Sequence, residues 1–135
     1  MDAISPVKRF DLVRYRDGLM ILFLATNPLR RRNLSALRLN ASLIADAAGY
    51  RVSFKGSETK TGNLIDMTLA QPLSNNIDFY RTHVRPGLLR QEPDDGWFWL
   101  GRRGKPLAPN NISTNITTLT KRYLGRSISP HLFRD

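Results

Sequence analysis

With 135 residues, 41% of them hydrophobic, and a mixed charge population, the chain is one domain's worth of protein able to bury a single core, not a disordered tail. The absence of cysteine excludes a disulfide scaffold and any thiolate metal site and fits a reducing cytosol, while the longest apolar run, Leu19 to Ala25, is far too short to span a bilayer. Lysine and arginine number 21 against 11 acids, a net charge of +10, which favours polyanions, nucleic acid first and anionic membrane second.

Met1 to Phe10, with Pro6, reads as a lead-in segment. Asp11 can cap a helix running to about Thr26, with Leu12, Leu19, Leu22 and Phe23 near one face. Gly18 weakens that helix without forbidding it, and Asn27-Pro28 breaks it, because proline restricts the residue before it. A short second helix is expected from Arg30 to Leu37, with Leu34 and Leu37 as its apolar contacts. Arg30, Arg31 and Arg32 fan over different directions on its first turn. Cations at that end oppose the helix dipole, so the pattern points to an anion brought from outside.

Asn40 to Gly49 is Ala-rich and ambiguous. Tyr50 to Lys55 alternates cleanly and is predicted as a strand, paired with Asn63 to Leu69, which places Ile65, Met67 and Leu69 on one face. Between them Gly56 to Gly62 forms a hairpin loop, and Lys60 sits near its tip or at the start of the return strand. Spacing alone makes Lys60 an exposed edge lysine of the kind that discourages aggregation.

Pro72 opens a third helix with Ser74 near its cap; Ile77, Tyr80 and Val84 follow at helical spacing until Arg85-Pro86-Gly87 ends it. His83 reads as a surface histidine, since no second ligand type recurs at metal spacing. After an acidic turn from Glu92 to Gly96, Trp97-Phe98-Trp99-Leu100 reads as core anchoring and not as a base-stacking platform. Gly101-Arg102-Arg103-Gly104-Lys105 is a basic loop suited to phosphate contact. Asn110 starts a helix in which Ile112, Ile116, Leu119 and Tyr123 step by four, three and four, with Lys121 and Arg122 in the last turn and Gly125 closing it. The predicted fold class is α+β, a mostly helical domain with a small antiparallel sheet.

Positive charge is concentrated late: from Arg102 to Asp135 seven basic residues face one acid. Ser129 and Pro130 suit the cap and first position of a final helix, which puts His131 and Arg134, three apart, on one side of its first turn. A titratable ring, a fixed cation and a helix N-terminus then converge as an anion site.

Three separated elements thus supply Arg30, Lys60, and His131 with Arg134. In register, they resemble the catalytic domain of the tyrosine recombinases, the phage integrase family, over roughly Tyr15 to the end. ATNPLRRRNLSAL resembles the family's first arginine box, SETKTGNLIDMTL its lysine-bearing β-hairpin, and SPHLFRD its His-x-x-Arg box. The resemblance implies DNA strand cleavage and rejoining without metal or cofactor, in which a tyrosine attacks a phosphodiester to give a 3′-phosphotyrosyl link and a free 5′-hydroxyl. By the same resemblance Arg30 and Arg134 would stabilise the phosphorane-like transition state. Lys60 would give the leaving 5′-oxygen its proton, and His131 would manage the proton of the nucleophile. Lys55 competes for the lysine role; KTG followed by the alternating return strand favours Lys60.

The resemblance further implies duplex DNA as partner; no membrane partner is expected, and Arg31, Arg32, Thr59, Arg102, Arg103 and Lys105 are expected as contacts to DNA. It implies a tetramer on DNA for the complete protein and a cytoplasmic, nucleoid-associated place. Asn27-Pro28 stands where the family has glycine before Leu-Arg, and Asn33 stands for the usual acid, both structural positions. The family's remaining His or Trp and its nucleophilic tyrosine follow the second arginine, so they are expected beyond Asp135, and a DNA-clamping domain is expected before this chain. The chain is accordingly expected to be a partial catalytic domain, inactive alone, in which Tyr15, Tyr50, Tyr80 and Tyr123 are packing residues. A non-catalytic DNA-binding integrase remnant would use the same surface. A basic RNA-associated protein would account for the charge but not for the three boxes.

Overall fold

A computed structural model describes residues 9–27 and 29–129. The architecture is α+β, with helices preceding and following a three-stranded antiparallel sheet of order β1-β2-β3. Helix α1 (Arg9–Thr26) begins before Asp11, so that residue lies within its first turn. Leu12, Leu19 and Phe23 are buried as the spacing requires, and Met20 and Leu24 join them, so the apolar face is wider than four residues. Arg16 is buried on the same helix: its guanidinium donates to the Leu100 carbonyl at 3.0 Å and to Asp17 Oδ1 at 2.7 Å. A charge survives in that position only because its donors are met.

The ambiguous stretch from Asn40 to Gly49 contains an edge strand, β1 (Leu43–Asp46), joined to β2 (Gly49–Phe54) by the two-residue turn Ala47-Ala48. Asp46 Oδ1 accepts the Ala48 amide at 2.9 Å, and Gly49 adopts φ +125°, which disfavours any side chain. The sheet is therefore more than the predicted hairpin. On β2, Tyr50, Val52 and Phe54 face the core; β3 (Ile65–Thr68) pairs with it in the register Val52↔Met67 and Phe54↔Ile65.

Helix α3 (Gln71–Phe79) does not end at Arg85-Pro86-Gly87. It passes through a π-helical turn, Tyr80–Val84, into α4 (Arg85–Leu89), and stops at Arg90, whose φ is +55°. Pro86 falls in the first turn of the new segment, where its missing amide costs little, and the wider turn before it relieves the ring clash. Ser74 is not a cap: it is buried and its Oγ accepts the Tyr50 amide at 3.0 Å, tying helix to sheet. Phe98, Trp99 and Leu100 are core, with Phe98 and Trp99 rings 4.6 Å apart and Tyr80 4.9 Å from Phe98.

Helix α5 (Pro109–Leu124) buries Ile112, Ile116 and Thr120, and Gly125 caps it in the left-handed conformation at φ +80°. Thr120 continues the buried face where Leu119 and Tyr123 were expected to. Tyr123 is 58% exposed and Leu124 63%, so the expected packing role of Tyr123 is overturned. Both border an apolar groove with Leu119 and Ile128, facing Gly18 and Ile21 of α1.

Candidate nucleic-acid interface

Helix α2 (Arg31–Ser35) is a single turn preceded by Arg30, whose φ of −63° and ψ of 146° place it just outside the helix and not within it. Leu34 and Leu37 are fully buried and fix the turn against the core. Arg30 is half-buried, and its guanidinium has no hydrogen-bond or ion-pair partner among the described residues. Arg31 reaches across to α5, Nη1 donating to Ser113 Oγ at 2.8 Å. Arg32 is exposed. Asn33 is only 2% exposed, and its Nδ2 donates to the Glu58 carbonyl at 3.1 Å. A buried amide needs such a partner, and here the partner belongs to the lysine-bearing loop.

That loop, between β2 and β3, opens with a 3₁₀ turn, Gly56–Glu58. Glu58 Oε1 accepts the Lys55 amide at 2.7 Å, and Thr59 Oγ1 donates to the Asn63 carbonyl at 2.8 Å. The neck is tight: a Cβ on Gly56 would stand 2.4 Å from the Gly62 carbonyl oxygen. Thr59 is half-buried with its hydroxyl turned into the loop, while Lys60 is exposed, its ammonium free of partners among the described residues. The structure thus joins the Arg30 turn and the Lys60 loop through Asn33. His131 and Arg134 lie outside the described residues.

Arg102, Arg103 and Lys105 occupy a different setting, against the end of α4. Gly104 has φ +82°, and a Cβ there would stand 2.8 Å from the Leu89 carbonyl. Lys105 Nζ pairs with Glu92 at 2.8 Å, and that carboxylate raises the ammonium above its ordinary value. A phosphate at Lys105 has a carboxylate to displace; Arg103 is exposed.

Other residues came to light only in three dimensions. The Arg38 guanidinium lies over the Trp97 ring, 4.7 Å from its centroid, and Nε donates to the Asp95 carbonyl at 2.7 Å. Trp97 is half-buried, so the core reading of its run holds for the three residues after it. Arg85 is buried, forked onto Asp94 and onto the Trp97 carbonyl. His83 is exposed, its ring on Phe79 at 4.8 Å.

The tyrosine hydroxyls are engaged elsewhere. Burial pushes Tyr80 up to about 12, and its hydroxyl accepts the Leu100 amide at 3.3 Å. Tyr50 donates to Asp78 at 3.0 Å and accepts from Arg81 at 3.2 Å; Tyr15 donates to Asn76 Oδ1 at 2.8 Å. Tyr123 accepts from Arg14 at 3.4 Å. Among the described residues, none of these bonds reaches the 30–32 turn or the 55–62 loop. No group of three or more His, Asp or Glu among them is placed to hold a metal ion, and none of the described helices is long and apolar enough to cross a membrane.

Comparison with known proteins gives a class to set beside this geometry: the chain has a distant, tyrosine recombinase-like relationship. It is 24% identical over 124 residues, 92% of its own length, to the tyrosine recombinase XerC of Pseudomonas fluorescens. It spans 38% of the length of that relative. No family model matches the chain.

Proposed function

We propose that this chain is part of the catalytic domain of a site-specific DNA recombinase, and that the turn at Arg30 and the loop at Lys60 hold one phosphodiester of duplex DNA between them. The observation that supports this most is the bond from Asn33 to the Glu58 carbonyl, which fastens the two cation-bearing elements to each other. Arg30 has donors to spare for nonbridging oxygens, and a guanidinium fork stabilises the charge they gather in the transition state. Lys60, exposed at its loop tip, supplies a proton to the departing 5′-oxygen. His131 and Arg134 complete the set as proton carrier and second fork. Arg31, Arg32, Thr59, Arg102 and Arg103 position the duplex, with Lys105 contributing when it releases Glu92. The attacking tyrosine is assigned to none of the four in this chain.

Single-turnover cleavage by a complete recombinase carrying this segment tests the roles. Lys60→Ala slows cleavage about 10²–10⁴-fold, as loss of a general acid does. A substrate with sulfur as the 5′-bridging atom restores the rate, because a thiolate leaves without a proton. Arg30→Ala loses about 10²–10³-fold with either substrate, and Arg31→Ala mainly weakens binding. Equal rescue of Arg30→Ala and Lys60→Ala by sulfur overturns the assignment. Full activity of both variants, with DNA still bound, moves the reading to a non-catalytic DNA-binding remnant.

A further inference from the structure

A cleft of about 520 Å³ opens beside α2, on the side bordered by Lys55 and Glu58. Arg32, Arg38 and Lys55 line it, against a single acid, Glu58. Asn33, Ser42 and Phe54, all buried, contribute to its walls, with Trp97 beside Arg38. Neither Arg30 nor Lys60 takes part in the lining.

The three cations are differently prepared. Arg38 is held on two sides, its face against Trp97 and its Nε on the Asp95 carbonyl, which leaves the outer edge of its guanidinium as a fixed fork. Arg32 and Lys55 make no side-chain hydrogen bond or ion pair among the described residues. Glu58 makes no ion pair with them among the described residues; its Oε1 accepts the Lys55 backbone amide, and its single charge offsets only one of the three cations. Like charges gathered round one concavity repel, and the repulsion is relieved when an anion enters. A tetrahedral oxyanion suits this set: a planar fork can take two oxygens while a mobile ammonium and a second guanidinium take the others.

We propose that this cleft binds a phosphate group distinct from the phosphodiester at Arg30 and Lys60, with Arg38 as the fixed fork and Arg32 and Lys55 as closing contacts. The phosphate belongs either to the backbone of the bound duplex, which rests on the recombinase reading, or to a free phosphate or pyrophosphate, which does not.

The test is a nuclear magnetic resonance titration of the 135-residue chain, with inorganic pyrophosphate in one arm and a short duplex DNA in the other. The reporters are the Trp97 indole and Arg38 Nε signals. Saturable movement of both is expected, and Arg32→Gln with Lys55→Gln weakens the response at least about tenfold, the loss expected of a charge-assisted hydrogen bond. Both substituted side chains are exposed, so the double variant keeps the fold. Movement with duplex alone assigns the phosphate to DNA; movement with pyrophosphate alone assigns it to a free ligand. Reporters that stay still in both arms, or move equally in the double variant, overturn the cleft. If duplex binding is lost in Arg30→Ala while the double variant binds normally, the cleft fails and with it the duplex contact given to Arg32, while the phosphodiester site at Arg30 and Lys60 stands. If pyrophosphate binds and no duplex does, the reverse holds.

Discussion

Asn33 donates its side-chain amide to the backbone carbonyl of Glu58 at 3.1 Å, and in doing so fastens the arginine turn to the lysine loop. The donor is buried, so the bond is worth more than one made in water. Asn33→Ala leaves the Glu58 carbonyl unpaired and costs about 1–3 kcal/mol. Asn33→Asp does no better, because an ionised carboxylate has no proton to donate and sets acceptor against acceptor. Urea midpoints and amide exchange across residues 58–62 check this; an aspartate as stable as asparagine contradicts it.

The loop neck gives an order of two substitutions. Gly56→Ala forces a methyl to 2.4 Å from the Gly62 carbonyl oxygen, and costs about 1–3 kcal/mol as overpacking does. Gly62→Ala meets no neighbour but must hold φ near +79°, a strain of about 1 kcal/mol. Thermal unfolding of the two variants should rank Gly56→Ala as the more harmful; the reverse order would mean that the neck is open.

Acid stability carries the mark of Asp94. The Arg85 fork holds its carboxyl down at about 2, with the Gly96 amide assisting. A carboxyl depressed by folding contributes stability that is complete above its unfolded value near 3.9 and is lost as pH falls towards 2. Asp17 acts the other way: burial raises its carboxyl, outweighing Arg16, so protonating it relieves a cost. Urea midpoints from pH 5 to pH 2 for wild type and Asp94→Asn isolate the first effect. The wild type loses stability more steeply; parallel curves contradict the assignment.

Arg85 itself is structural. Arg85→Met leaves the Trp97 carbonyl without its two donors and costs on the order of 3 kcal/mol. Chemical denaturation measures it, and a loss below about 1 kcal/mol would place Arg85 among ordinary surface charges.

What the sequence made readable was periodic. Helix α1, helix α5 and strand β2 bury most of the residues their spacing selects, while Leu22, Leu119 and, on β3, Ile65 and Met67 are only half-buried and Tyr123 is exposed. Strand β1 was not readable, because only Leu43 of its four residues is buried and alanines fill the turn after it. Pro86 misled because a π-helical turn, which leaves no periodic trace, lets the helix pass it. Ser74 resembled a cap because the amide it serves, that of Tyr50, is supplied by the sheet. Arg30 and Lys60 could be singled out from their boxes, but the bond that joins their elements spans 25 positions and had no local signature. Arg16 and Arg85, two of the cations counted in the net charge of +10, are buried and paired and so add nothing to the exposed basic surface.

If the basic surface around Arg30 and Lys60 holds the phosphates of duplex DNA, as proposed, its binding must respond to salt. Equilibrium binding of the chain to duplex DNA across a range of salt concentrations tests it most directly. Log affinity should fall linearly with log salt, by about 0.9 for each phosphate neutralised, and Arg30→Ala should be shallower by about one contact. An affinity indifferent to salt, or an RNA of the same sequence bound as tightly as the duplex, would contradict the account.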